Sequence, residues 1–206
     1  MIAAPPLWAA ALAALLAGCA AVVPPPPPDA AGNTAPPGSA GYSLDPTHTF
    51  VHWEVLHMGT STIRGRFDKA TGRVEFEPTA QRLDLTINID TASVNSGVAP
   101  LDTLLRGAAM LDVAANPQAT FTSLGTLFEG EVPKEVRGQL ALRGTTQPVT
   151  LRNLRWKCGF NLLFRREVCG GDFEAQIDRS RFGITHSLPF VADRVRLLVQ
   201  VEGIRL

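Results

Sequence analysis

Net charge is the first thing this sequence lacks. Its 19 Lys and Arg balance 19 Asp and Glu, and the isoelectric point is about 6.9. Without a basic excess there is no source of counterion release, so nucleic acid is not a partner this composition supports. Charge is also missing locally: before Glu54 the carboxylates are Asp29 and Asp45, and there is no Lys or Arg. Motifs are missing too. The chain contains no GxGxxG, GxxxxGK[ST] or HExxH pattern and no GxSxG nucleophile elbow. Nucleotide binding, zinc hydrolysis and serine acyl transfer therefore have no foothold here. The apolar run Leu7 to Ala17 is short for a membrane span and has the length of a signal-peptide core.

That run ends in Leu16-Ala17-Gly18-Cys19. The segment resembles the bacterial lipobox: a branched apolar residue, two small residues, then the cysteine that becomes a lipidated N-terminus. It departs from the usual pattern in having no Lys or Arg near Met1. The resemblance implies a signal peptide over 1–18 and a membrane anchor on Cys19, held by buried acyl methylenes. With no aspartate after Cys19, it implies the outer membrane, facing the periplasm. The alternative is a buried N-terminal helix ending at Gly18. Residues 24–41 carry five consecutive prolines and then small polar residues, a composition that cannot build a packed core. We read 19–41 as a lipidated tether and 42–206 as the folded domain.

Cysteine is scarce, with 3 in the chain. If Cys19 carries lipid, Cys158 and Cys169 remain as a pair that an oxidising compartment would join. They would close the base of the loop Gly159–Val168. Two free thiols or a metal pair are the alternatives, and neither cysteine has a histidine near it in sequence.

From Tyr42 onward the dominant pattern is period two. Val51, Trp53, Val55 and His57 alternate with His52, Glu54 and Leu56. Leu83, Leu85, Ile87 and Ile89 alternate with Asp84, Thr86, Asn88 and Asp90, and Val195 to Val201 repeats the scheme. One apolar and one polar face is how a half-exposed antiparallel strand reads. Residues 68–72 are placed as a hairpin loop between strands at 63–67 and 73–76, and 144–148 as a turn. Many short strands argue for an all-β sandwich or barrel. Pro100 to Val113 breaks the rhythm with helical spacing of Leu101, Leu104, Leu105 and Ala108. It predicts one short helix or two, stopped by Asn116-Pro117.

Three of the four histidines, His48, His52 and His57, crowd into one stretch. On a strand His48 and His52 share a face and His57 takes the other, so the three cannot converge on a metal from this strand alone. Arg179, Arg181, Arg194 and Arg196 form a modest cluster, of which one or two could meet an anion at a barrel mouth. The inward set is large and apolar. Its candidates for lining a ligand are Val51, Trp53, Val55, His57, Ile63, Phe67, Phe76, Leu85, Ile87, Phe121, Leu140, Leu142, Phe173 and Phe182. Gly65 and Gly138 sit at inward parity and would leave space. A barrel of about eight strands either fills its interior or holds one ligand, and residue types leave both outcomes open.

Ordered motifs across 42–202 carry a family resemblance. Tyr42-Ser-Leu-Asp-Pro-Thr-His48, Val51-His-Trp-Glu-Val-Leu-His-Met-Gly59 and Ser61-Thr-Ile-Arg-Gly-Arg-Phe67 come first. Asn116-Pro-Gln-Ala-Thr-Phe-Thr-Ser123, Gly138 to Leu151 and Arg179-Ser-Arg-Phe-Gly183 follow. In this order they resemble the YceI-like, polyisoprenoid-binding, lipocalin-like family. The family's R-D-x-H-L and F-F-D are replaced here by Leu101-Asp-Thr-Leu-Leu105 and Met110-Leu-Asp112. The resemblance implies an eight-stranded antiparallel barrel with a short helical insertion and a hydrophobic pore. It implies an isoprenoid-type ligand, a polyprenyl phosphate or a quinone tail, and a location in the bacterial envelope. Two other readings are an envelope interaction module with a filled core and, with no residue to nominate, an enzyme.

Overall fold

A computed structural model describes residues 40–206. The lipobox, Cys19 and nearly all of the tether lie outside these residues.

The alternating stretches form the strands that period two demands. They are β1 (Ala40–Leu44), β2 (Phe50–His57), β3 (Ser61–Phe67), β4 (Ala70–Glu77), β5 (Arg82–Asp90) and β6 (Val94–Asn95). After α1 (Ala99–Arg106) come β7 (Gln118–Glu129), β8 (Val132–Leu142), β9 (Thr145–Asn161), β10 (Arg166–Asp178) and β11 (Val191–Arg205). All pairings are antiparallel. The order β1-β4-β5-β7-β8-β9-β10-β11 returns to β1 and closes an eight-stranded barrel. Closure leaves those strands no free edge to aggregate through.

β1 and β2 run in line along the same side of β11. β1 takes Gly203 to Arg205 and β2 takes Val191 to Gln200. Between them the chain kinks at Asp45–Thr49. After the kink it changes its other neighbour, from β4 to β3. The far edge of β3 pairs with the two residues of β6. A wedge therefore opens at one end of the barrel, and β6 and α1 fill it. Arg106 fastens α1 there, donating to the carbonyls of Ala92 (2.8 Å) and Val94 (2.7 Å).

Three local expectations are corrected. The hairpin across 68–72 does not form, because β3 pairs with β2 and β6 while β4 pairs with β1 and β5. Period two tells which face a residue takes, not which strand lies beside it. The turn placed at 144–148 is only Arg143-Gly144, both at positive φ, and Thr145 already pairs with Leu142. That two-residue geometry suits the twist of the flanking strands. The helix ends at Arg106, ten residues before Asn116-Pro117, where the Gly107 N–H closes on the Leu104 carbonyl.

Candidate functional site

The barrel interior holds two apolar cavities. The first lies inside the half of the barrel nearer the β9–β10 hairpin. It measures about 50 Å³ and is walled by Tyr42, Phe76, Trp156 and Phe173, with Val51, Leu85 and Ile87. The second lies under α1 and measures about 160 Å³. Trp53, Val55, Ile63, Phe67 and Leu142 line it, together with Leu101, Leu104, Leu105 and Met110 from the helical region and Val195 and Leu197 from β11. Ten of the expected lining residues thus divide into two sets of five.

Phe121, Leu140 and Phe182 are buried in the continuous core and border neither cavity. His57, expected as a polar contact inside the barrel, is half-buried at the end of β2 and also borders neither. Its backbone carbonyl closes the next turn, accepting from the Thr60 N–H and hydroxyl. The space expected at Gly65 and Gly138 is already taken. A Cβ on Gly65 would stand 2.3 Å from the Trp53 indole, and one on Gly138 would stand 2.5 Å from the Phe121 ring. These glycines are seats for aromatics, not open volume.

The arginine cluster separates. Arg196 meets Glu174 (2.8 Å) and Glu54 (3.3 Å) on the outer face, and Arg194 meets Asp178. Such exposed pairs contribute little. Arg181 is exposed. Arg179 is different: it is 5% exposed and borders the helix-end cavity. It donates to the carbonyls of Ala192 (3.0 Å), Ile184 (3.0 Å), His186 (2.8 Å) and Val191 (2.9 Å). Four of the five guanidinium N–H groups are thereby used. Among the described residues no carboxylate lies within ion-pair distance of it. The nearby Asp193 carboxylate instead accepts from the Ser180 N–H (2.8 Å) and hydroxyl (2.6 Å). Burial pulls the Arg179 pKa down, but a guanidinium keeps its charge in proteins. Asp193 opposes that shift through its charge without touching the guanidinium, and an anionic group in the cavity would offset more of the burial cost. The indole N–H of Trp53 is a second polar feature of this wall, buried with no hydrogen-bond partner. Arg179 was visible in the sequence as one of four arginines. What distinguishes it is a loop that folds back to bury it.

The histidines do not converge. His48 lies in the turn between β1 and β2, not on a strand. Donor atoms of Asp45, His48 and Glu202 come within 4.8 Å of one another. Asp45 is occupied, however. One oxygen accepts from the Thr47 N–H (2.8 Å) and hydroxyl (2.6 Å), and the other meets His48 Nδ1 at 2.7 Å. This group shapes the kink. The disulfide Cys158–Cys169 crosses the β9–β10 hairpin near its tip.

Comparison with known proteins agrees with this architecture. Residues 42–203 match the YceI-like domain. The protein YceI of Salmonella arizonae is 35% identical over 172 residues, covering 81% of this chain and 88% of that protein. Among solved structures, BcnA of Burkholderia cenocepacia aligns with a TM-score of 0.64 at 23% identity, over 77% of this chain and 98% of its own. A polyisoprenoid binding domain from Saccharophagus degradans, implicated in plant cell wall breakdown, aligns at 0.55 and 17% identity, over 80% and 98%. The extent of the domain match and the identity to YceI place this chain in the YceI-like family.

Proposed function

We propose that the barrel binds an isoprenoid-type lipid, with an apolar segment in the helix-end cavity and an acidic or oxygen-bearing head at Arg179. The observation that carries this reading is the pairing of a largely apolar wall with one buried guanidinium that touches four backbone carbonyls and no carboxylate among the described residues. That is the polarity of a polyprenyl phosphate or a quinone: a long hydrocarbon and a compact head rich in acceptors. The similarly folded Saccharophagus protein is a polyisoprenoid binding domain, which supports the same ligand class. The lipobox-like Leu16 to Cys19 supports a lipoprotein held at the outer membrane and facing the periplasm, with 19–41 as its tether.

Native mass spectrometry of protein expressed in a bacterium tests the lipid. The expected result is one bound species whose mass, after extraction, is that of a prenyl chain. Protein that emerges lipid-free and takes up neither a polyprenyl phosphate nor a quinone would overturn the reading. It would leave the filled-core interaction module in its place.

A further inference from the structure

A hairpin tip in a periplasmic or extracellular β-protein is ordinarily polar, because its side chains face water on every side. The tip of β9–β10 reads Gly159-Phe-Asn-Leu-Leu-Phe-Arg-Arg166. Phe160 is 68% exposed, Leu162 84% and Leu163 90%, and Phe164 is exposed beside them. Scattered exposed leucines need no explanation, but a contiguous apolar cluster does.

The tip also stands clear of the barrel. The β8–β9 ladder ends at Glu135–Arg152, and the β10–β11 ladder ends at Val168–Ile204. Past those points β9 and β10 pair only with each other, out to Asn161–Arg166. The Asn161 side chain accepts from the N–H groups of Leu163 (2.9 Å) and Phe164 (3.3 Å), and the disulfide ties the strands behind. The projection is therefore shaped in advance, and little ordering entropy remains to be lost on contact.

Charge surrounds the apolar residues. Lys157, Arg165 and Arg166 are exposed and have no ion pair among the described residues. The neighbouring acids are partly occupied: Glu167 by Tyr42 and Arg205, Glu77 by Arg82 and Glu129 by Lys134, leaving Glu131 and Glu202. Apolar residues with cations beside them are what a membrane surface takes. Side chains enter the acyl boundary while Lys and Arg meet anionic headgroups.

The described residues begin at the same rim. Gly41 accepts from the Leu206 N–H (2.9 Å), and Tyr42 pairs with Arg205. Residues 1–39 hold the apolar run Leu7–Ala17, and they carry one acid, Asp29. They are therefore a poor match for three cations, whereas a lipid surface supplies many anions.

We propose that the β9–β10 tip docks this rim of the barrel onto a lipid bilayer bearing anionic headgroups. The proposal does not depend on what the barrel holds.

The test uses the full chain and vesicles of phosphatidylcholine with and without phosphatidylglycerol, brominated on their acyl chains. In L163W, vesicles are expected to quench the introduced indole beyond the quenching seen in the unsubstituted chain, and more so with phosphatidylglycerol. The probe reports on the tip alone, so anchoring through residues 1–39 cannot imitate it. L162D in the L163W background should remove most of that extra quenching, and R165E/R166E in the same background should remove most of its dependence on phosphatidylglycerol. An introduced indole that stays unquenched while the protein sediments with vesicles overturns the proposal. So does an L163W chain that forms a dimer which L162D dissociates while its indole is never quenched by vesicles, because the tip is then a contact between two copies of the chain.

Discussion

The two ends of the barrel are built on opposite plans. At the hairpin end β1 sits between β4 and β11 and completes the ring of strands. Aromatic rings press into that end. Phe76 meets Trp156 (5.3 Å), Tyr42 (6.4 Å) and Phe128 (6.4 Å), and Trp156 meets Phe173 (6.0 Å). The Tyr42 hydroxyl donates to Glu167, and burial with that carboxylate pushes its pKa well above the usual phenol value. The cavity left is about 50 Å³. At the other end the ring of strands is interrupted and a short helix covers the wedge. Its wall is largely aliphatic, and about 160 Å³ stays open beside Arg179. A closed ladder with large rings fills itself, whereas a helix laid over a gap packs less completely.

Removing a ring from the closed end should cost the most. Phe76→Ala deletes the hub of the aromatic cluster, and denaturant unfolding should show a loss of about 3–5 kcal/mol. Lipid uptake by the folded fraction should change little if the helix end is the binding end. Uptake that disappears in folded Phe76→Ala would erase the contrast between the ends.

Arg179→Lys comes next. Lysine keeps a charge but cannot donate to four carbonyls, so a stability loss of about 1–3 kcal/mol is expected in the same measurement. Lipid retention in native mass spectrometry should fall as well, which a purely structural arginine would not produce in the folded fraction.

Filling the two cavities should sharpen the comparison. Met110→Phe adds bulk where room exists, and its stability should stay within about 1 kcal/mol of the parent while lipid retention drops. Val74→Phe adds bulk at the closed end and should cost about 1–3 kcal/mol through overpacking.

The smallest effect belongs to the kink that joins the two plans. Asp45 raises the His48 pKa above its ordinary 6.5 by accepting its hydrogen bond. That contribution is therefore complete below 6.5 and lost as pH rises through the raised folded value. Asp45 is itself partly desolvated, which opposes ionisation. Hydrogen bonds from Thr47 and His48 outweigh this and hold its pKa below 3.8. Its share is thus present above 3.8 and lost as pH falls through the depressed value. Between about pH 5 and about pH 8 the melting temperature of His48→Ala should vary less than that of the parent, since the variant lacks one of the groups titrating in that window.

Much of the fold was legible because alternation is a local property. The sequence of Leu83 to Ile89 states its own inward face, and β5 buries Leu83, Ile87 and Ile89. Val51, Trp53 and Val55 did the same for β2. The site was legible only as a list of inward residues. Gly65 read as space because its missing side chain is visible in the sequence. The Trp53 ring that occupies the space comes from the neighbouring strand. Arg179 read as one of four arginines because burial depends on the return of residues 184–192, and no short window of sequence records that return.

By itself, then, the sequence determined the strand faces and the family, since both rest on residue order along the chain. The tertiary structure alone decided that β3 and β4 part company, that the interior splits into a filled and an open end, and that one arginine is buried beside the open one. It also decided that the Phe160–Phe164 tip projects past its neighbouring strands at the rim where β1 begins. The physical reason is the same throughout. A side chain's direction is set by its own backbone, whereas volume, burial and exposure are set by strands far away in sequence.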